Sequence, residues 1–110
     1  MEVLGNVPVL PSRDLARSER FYLRLGYRVE SRYDDYLILR HGAAELHLAR
    51  MEVEPARNPA GLYLRVRGVD EIARLLGRTA RDMPWGQREV AASDPDENLL
   101  RFGEAVAERG

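Results

Sequence analysis

Cysteine is absent from the 110-residue sequence, which removes disulfides, thiolate-bound zinc and thiol nucleophiles together. Lysine is absent as well: all 17 basic residues are arginine, so no amine side chain can form a Schiff base. No Ser-His-Asp order, P-loop or Gly-rich phosphate loop occurs, and nucleophilic or phosphoryl-transfer chemistry has no support. No stretch approaches the roughly 18 consecutive apolar residues that a membrane span needs. The opening "MEVLGNVPVL" lacks the basic start and long apolar run of a signal peptide, and a cytoplasmic setting is expected. Charge of one sign is missing too, with 18 acids against 17 bases for a net −1. No arginine cluster forms a basic face. Neither nucleic acid nor membrane is an expected partner.

What remains suits one globular domain over 1–110, with 45% apolar and 32% charged residues. "VPVL" (Val7 to Leu10) is a β-prone run whose Pro8 suggests an edge or the start of pairing. Ser12 or Asp14 can cap a helix from Asp14 to about Leu25, with Leu15, Glu19, Tyr22 and Leu25 at helical spacing, Phe21 beside them and Gly26 as stop. Strands are expected at Tyr27–Tyr33, Tyr36–Arg40 and Ala43–Ala49, with turns at Asp34–Asp35 and His41–Gly42. This first module covers about 3–50. Pro55 and Pro59 make 51–60 a linker.

The order then repeats over about 61–103, Gly61 standing where Val7 stood. Leu62–Arg67 reads as a strand and Val69–Gly77 as a short helix with Val69, Ile72, Ala73 and Leu76 on one face. Thr79–Met83 reads as irregular, Gln87–Ser93 as a strand, Asp94–Asn98 as a turn and Leu99–Phe102 as the last strand. Each unit has one helix for one sheet face, so the other face needs a ligand or partner. Alternation puts Leu37, Leu39, Leu46, Leu48, Leu62, Leu64, Leu100 and Phe102 on the apolar side. The opposite side carries Tyr36, Arg40, Glu45, His47, Tyr63, Arg65 and Arg101, a mixture suited to a ligand groove.

The segments "VPVLPSRDLARSERFYLRLGYRVE", "YDDY…LRHGAAELHLA", "LYLRVRGVDEI" and "PWGQREVAASDPDENLLRF" together resemble bleomycin-resistance proteins. These belong to the vicinal-oxygen-chelate superfamily with glyoxalase I, extradiol dioxygenases and fosfomycin-modifying enzymes. The resemblance implies an α+β fold of two βαβββ modules and a homodimer with shared clefts. The superfamily's enzymes hold a divalent metal at four strand positions, which fall here on Val7, Glu45, Gly61 and Arg101. One of the four is a ligand, and a guanidinium at the fourth opposes a divalent ion. The resemblance therefore implies the metal-free branch, without a cofactor, which sequesters an aromatic or glycopeptide small molecule. Its alternative is a divergent metal-dependent lyase, isomerase or dioxygenase that recruits Glu45 and His47. A third reading is a stand-alone module whose cleft serves only dimerisation or a metabolic partner.

Tyr36, Tyr63 and Trp85 match the family's stacking aromatics, and Asp34 and Asp35 match an acidic pair beside the first. Ser31 and Arg65 stand where the best-known members are aromatic, the segment from Gly77 to Pro84 is shorter than theirs, and the whole chain is less acidic. A smaller or less cationic ligand than bleomycin fits that balance. Trp85 reads either as ligand lining or as edge packing, and outward tyrosines also serve cross-strand pairs. Glu45 and Arg101 read as an ion pair across the former metal site or as ligand contacts. His47 is structural or, beside Glu45, catalytic; His41 is a solvated turn residue. Pro8 matches a dimer-interface position or is an ordinary edge proline. Glu97 replaces a glycine of the family's turn, with Asn98 expected to take the positive φ.

Overall fold

Asp14 sets the start of the first helix. Its backbone is extended and its side chain accepts the amide of Arg17 at 3.1 Å, satisfying one donor that a helix N-terminus leaves open. The helix α1 then runs Leu15–Arg24. The computed structural model describes residues 1–109; Gly110, the end of the expected domain, lies outside the described residues. The chain divides into two compact units, Met1–Ala60 with Asp94–Asn98, and Gly61–Ser93 with the chain from Leu99 onward.

In the first unit β1 (Val9–Ser12), β2 (Arg28–Arg32), β3 (Tyr36–His41) and β4 (Ala44–Arg50) form one sheet in the order β1-β4-β3-β2. β1 runs parallel to β4 and the other neighbours are antiparallel. The first strand starts at Val9, two residues later than its β-prone run suggests. Pro8 has no amide to give, and only its carbonyl joins, accepting from His47 N at 3.1 Å. Leu10, Leu37, Leu39, Leu46 and Leu48 are all buried on one face, each worth about 1.5–3 kcal/mol of hydrophobic stabilisation. Tyr22 and Leu25 of the α1 segment are buried with them, and Tyr22 meets Tyr27 edge-on at 5.7 Å.

The α1 stripe differs from expectation at its N-terminal end. Leu15 and Glu19 are only half-buried, and Ser18 is buried instead. The reason is a polar core. Ser18 Oγ lies 2.6 Å from Ser12 Oγ and donates to Asp96 Oδ2 at 3.3 Å. Tyr22 donates its phenol to Asp94 Oδ2 at 2.6 Å. Asp94 Oδ1 meanwhile accepts the amides of Asp96 and Asn98 at 2.9 and 3.0 Å. Asn98 gives its side-chain amide to the Pro11 carbonyl at 3.0 Å and accepts from Asn58 at 2.8 Å. Every member of this cluster is thus paired, as buried polar groups must be. The residue with positive φ in the turn is Glu97, at 62°, and not Asn98, whose side chain is committed to three partners.

The second unit repeats the plan. β5 (Gly61–Arg65), β6 (Arg81–Asp82), β7 (Gln87–Ser93) and β8 (Leu99–Ala105) form a sheet in the order β5-β8-β7-β6, with α2 over Val69–Leu75. β5 is parallel to β8, and Gly61 opposes Leu99 at the same sequence separation by which Val9 opposes His47. The stretch read as irregular holds the two-residue β6, paired to β7 through Arg81–Glu89 and Asp82–Arg88. It completes the second βαβββ module. β8 also outruns its expected end at Phe102 and pairs as far as Ala105 opposite Gln87. Val69, Ala73, Val90, Leu100 and Phe102 are buried here. Glu104 accepts the Val69 amide at 3.2 Å, supplying the cap that Gly68 lacks.

Candidate functional site

On the open face of the first sheet, β3 and β4 bring Tyr36, His47, Glu45 and Arg40 into one chain of hydrogen bonds. Tyr36 Oη lies 2.7 Å from His47 Nδ1, and His47 Nε2 lies 2.5 Å from Glu45 Oε2. Arg40 donates to Glu45 Oε1 at 2.9 Å and to Glu30 Oε1 at 3.1 Å. The His47 contact, followed by the Arg40 charge, holds Glu45 below the ordinary carboxylate value. An ionised Glu45 can only accept, so Nε2 carries a hydrogen; in the neutral ring Nδ1 then accepts from the Tyr36 phenol. The imidazole is thereby fixed edge-on to Tyr36, with centroids 5.2 Å apart at 76°. Within the first unit both oxygens of Glu45 are engaged, Oε1 by Arg40 and Oε2 by His47. Alternation alone places Arg40 on that face without assigning it a partner.

Asp34 and Asp35 do sit in the turn before Tyr36. Asp35 accepts from Arg50 Nε and Nη2 at 2.8 and 2.6 Å, which leaves Asp34 as the acid of the pair without that partner. Pro8 is half-buried and contributes its carbonyl to the ladder. Ser31 lies half-buried beside a bulge in β2.

On the open face of the second sheet, Tyr63 and Trp85 share an acceptor. Tyr63 Oη donates to Glu89 Oε2 at 2.8 Å and Trp85 Nε1 donates to the same oxygen at 2.7 Å. Both rings are nonetheless solvent-accessible, 43% for Tyr63 and 60% for Trp85. Partial desolvation and the Glu89 contact raise the Tyr63 phenol above its ordinary value. Trp85 is presented by the Met83–Gly86 turn, closed by the Gly86 amide on the Met83 carbonyl at 3.1 Å, with Pro84 pre-setting its first corner. Glu89 was absent from the expected site. The available signal was its parity, since in "QREVAAS" it shares a face with Ala91, opposite Arg101.

Tyr63 reaches Glu89 by crossing β8, where Gly103 lies opposite both Arg65 and Glu89. A Cβ at Gly103 would overlap the Tyr63 phenol oxygen. Arg65 is exposed at the end of β5, and Arg101 is exposed on β8 opposite Tyr63. A cavity of about 610 Å³ opens on this face, lined by Glu89, Arg101, Arg81, Arg78, Thr79 and Met83 among others.

The four positions at which the superfamily's enzymes bind metal do not suit one here. Val7 precedes β1, and Gly61 has no side chain, with any Cβ pressing on the Leu99 carbonyl. Arg101 is a cation, and Glu45 is held by Arg40 and His47. Among the described residues no group of three or more His, Asp or Glu side chains is placed to hold a metal ion. Among them, too, no helix is long and apolar enough to cross a membrane.

No protein-family model matches the chain. A bleomycin resistance protein of Geobacillus stearothermophilus is 24% identical to it, over 94% of this chain and 98% of that protein. Among solved structures, a bleomycin resistance determinant encoded on the transposon Tn5 superposes with a TM-score of 0.86 at 26% identity, covering 94% of this chain and 98% of that one. A bleomycin-binding protein complexed with bleomycin gives a TM-score of 0.84 at 26% identity, over 93% and 98% of the two chains. The chain is therefore similar to bleomycin resistance proteins over nearly its whole length and has their fold, two βαβββ modules.

Proposed function

We propose that this chain is a metal-free binding protein of the bleomycin-resistance type, which sequesters an aromatic small molecule and does not transform it. The observation that carries the reading is the shared hold of Glu89 on Tyr63 and Trp85. Two solvent-accessible rings fixed on an open sheet face lose little freedom when a flat ligand stacks on them. Tyr36, steadied by His47, offers a third ring on the first sheet, with Asp34, Asp35, Glu45, Arg65 and Arg101 setting the polarity. The likeness to a protein solved in complex with bleomycin supports the same reading. A homodimer with ligand clefts shared between protomers, Pro8 at the interface, and a cytoplasmic setting belong to this proposal. The enzyme alternative is not favoured, since the chain resembles bleomycin resistance and bleomycin-binding proteins over nearly its whole length.

Trp85 is the sole tryptophan, so its emission reports the site directly. Titration with metal-free bleomycin is expected to quench it to saturation at one ligand per chain, and Trp85→Phe should abolish the signal and weaken binding measured by calorimetry. A flat titration into the high micromolar range overturns the drug-binding reading.

A further inference from the structure

The cavity on the second sheet has an electrostatic character that stacking leaves unexplained. Arg78 lines it from the segment after α2, Arg81 from β6 and Arg101 from β8. None of these three takes part in an ion pair among the described residues. The other charged clusters of the second unit are paired: Arg88 with Asp70 and Asp82, and Arg109 with Asp70 and Glu104. The one carboxylate in the lining is Glu89, and it already accepts from Tyr63 and Trp85. Arg81 stands directly opposite Glu89, and Arg101 directly opposite Ala91. The small Ala91 side chain also lines the cavity. Like charges converging on one cavity repel one another, and that repulsion is relieved when an anion enters.

We infer that this cavity receives an oxyanion, a carboxylate or phosphate group, carried on an aromatic small molecule whose ring lies against Tyr63 and Trp85. Guanidinium groups present paired N–H donors that match such oxygens two at a time, and Thr79 adds a hydroxyl to the lining. The inference rests on the functional reading above for where the ligand lies. It adds the ligand's charge, the opposite of what an acidic groove for a cationic tail would select.

The test is calorimetric titration with 4-nitrobenzoate, 4-nitrophenyl phosphate, the neutral 4-nitrobenzyl alcohol and inorganic phosphate, each beside metal-free bleomycin. The aromatic acids are expected to bind at least about tenfold more tightly than the neutral alcohol, with an affinity that falls as salt rises. The stronger of the two acids identifies the oxyanion. Arg101→Gln and Arg78→Gln should each remove most of that preference. Arg24→Gln, on α1 of the other unit, should leave it intact, with melting curves checking that all variants fold. Equal binding of acids and alcohol, or acid binding indifferent to the cavity arginines, overturns the inference. Bleomycin binding with no preference for acids would reject the oxyanion site alone. Acid binding without bleomycin binding would reject the drug-binding reading and keep the site.

Discussion

The phenol of Tyr63 occupies the space that a β-carbon on Gly103 would need. Gly103 is buried in β8 between Arg65 and Glu89, so only a residue without a side chain lets the ring lie across the strand and reach Glu89. Gly103→Ala is expected to push Tyr63 off its acceptor and to lower stability by about 1–3 kcal/mol through overpacking. Trp85 emission should change with it, since the two rings share one carboxylate oxygen. The double variant Gly103→Ala/Tyr63→Ala should recover part of the loss in a denaturant melt; two additive losses would mean the contact does not matter.

Tyr22→Phe removes the hydroxyl that Asp94 accepts inside the first unit. An expected loss of about 1–3 kcal/mol follows from leaving a buried carboxylate with one partner fewer, readable as a lower urea midpoint at unchanged slope.

Burial of the same phenol governs its response to alkali. Burial, followed by the charge of Asp94, pushes the Tyr22 phenol far above its ordinary value of 10.0. Its folded value being raised, its contribution to stability is fully present below pH 10.0 and is lost progressively as pH rises above it. Ultraviolet titration of the five tyrosines should show Tyr22 ionising only together with unfolding. Its free titration near the ordinary value in a folded protein would contradict the burial.

At the acid end, Asp70 is held below its ordinary 3.8 by its hydrogen bonds to Arg109 and Arg88. A lowered folded value gives stability that is present above 3.8 and lost as pH falls through the folded value. Asp70→Asn should therefore lower Tm at neutral pH, and the gap from the parent protein should close as pH falls well below 3.8. A gap independent of pH would show that shape, not charge, is what the substitution disturbs.

Glu97 holds a left-handed backbone at φ 62°, which costs a side-chain-bearing residue about 1–2 kcal/mol. Part of that cost is offset because glycine loses more chain entropy on folding. Glu97→Gly is expected to raise stability by about 1 kcal/mol or less, seen as a modestly higher Tm, whereas Glu97→Val should lower it.

Much of this architecture is legible in the residues. Strict alternation in "AAELHLA" and "LLRF" assigns both faces correctly, with Leu46, Leu48, Leu100 and Phe102 buried, because a half-buried strand has no other way to hide every second side chain. Asp14 and Gly26 bracket α1 by local chemistry alone. β6 escapes notice because two residues carry no period, and its identity comes from β7 beside it. Asp94–Asn98 is recognisable as a turn, but its burial depends on Tyr22, Ser18 and Asn58, which lie far away in sequence. The pairing of Arg40 with Glu45 has the same cause. Cross-strand register decides which guanidinium reaches a carboxylate, and Arg40 faces Glu45 directly.

The late position of Asp94–Asn98 has a consequence for synthesis. A nascent chain presents α1 and the whole first sheet as soon as Arg50 has left the ribosome, yet the acceptors for the Tyr22 and Ser18 hydroxyls are still to be translated. Until Asn98 emerges, the Tyr22 hydroxyl lacks its carboxylate acceptor and Ser18 has only Ser12 to bond. A chain stalled before Asp94 would therefore lack the acceptors that complete the first unit's polar core.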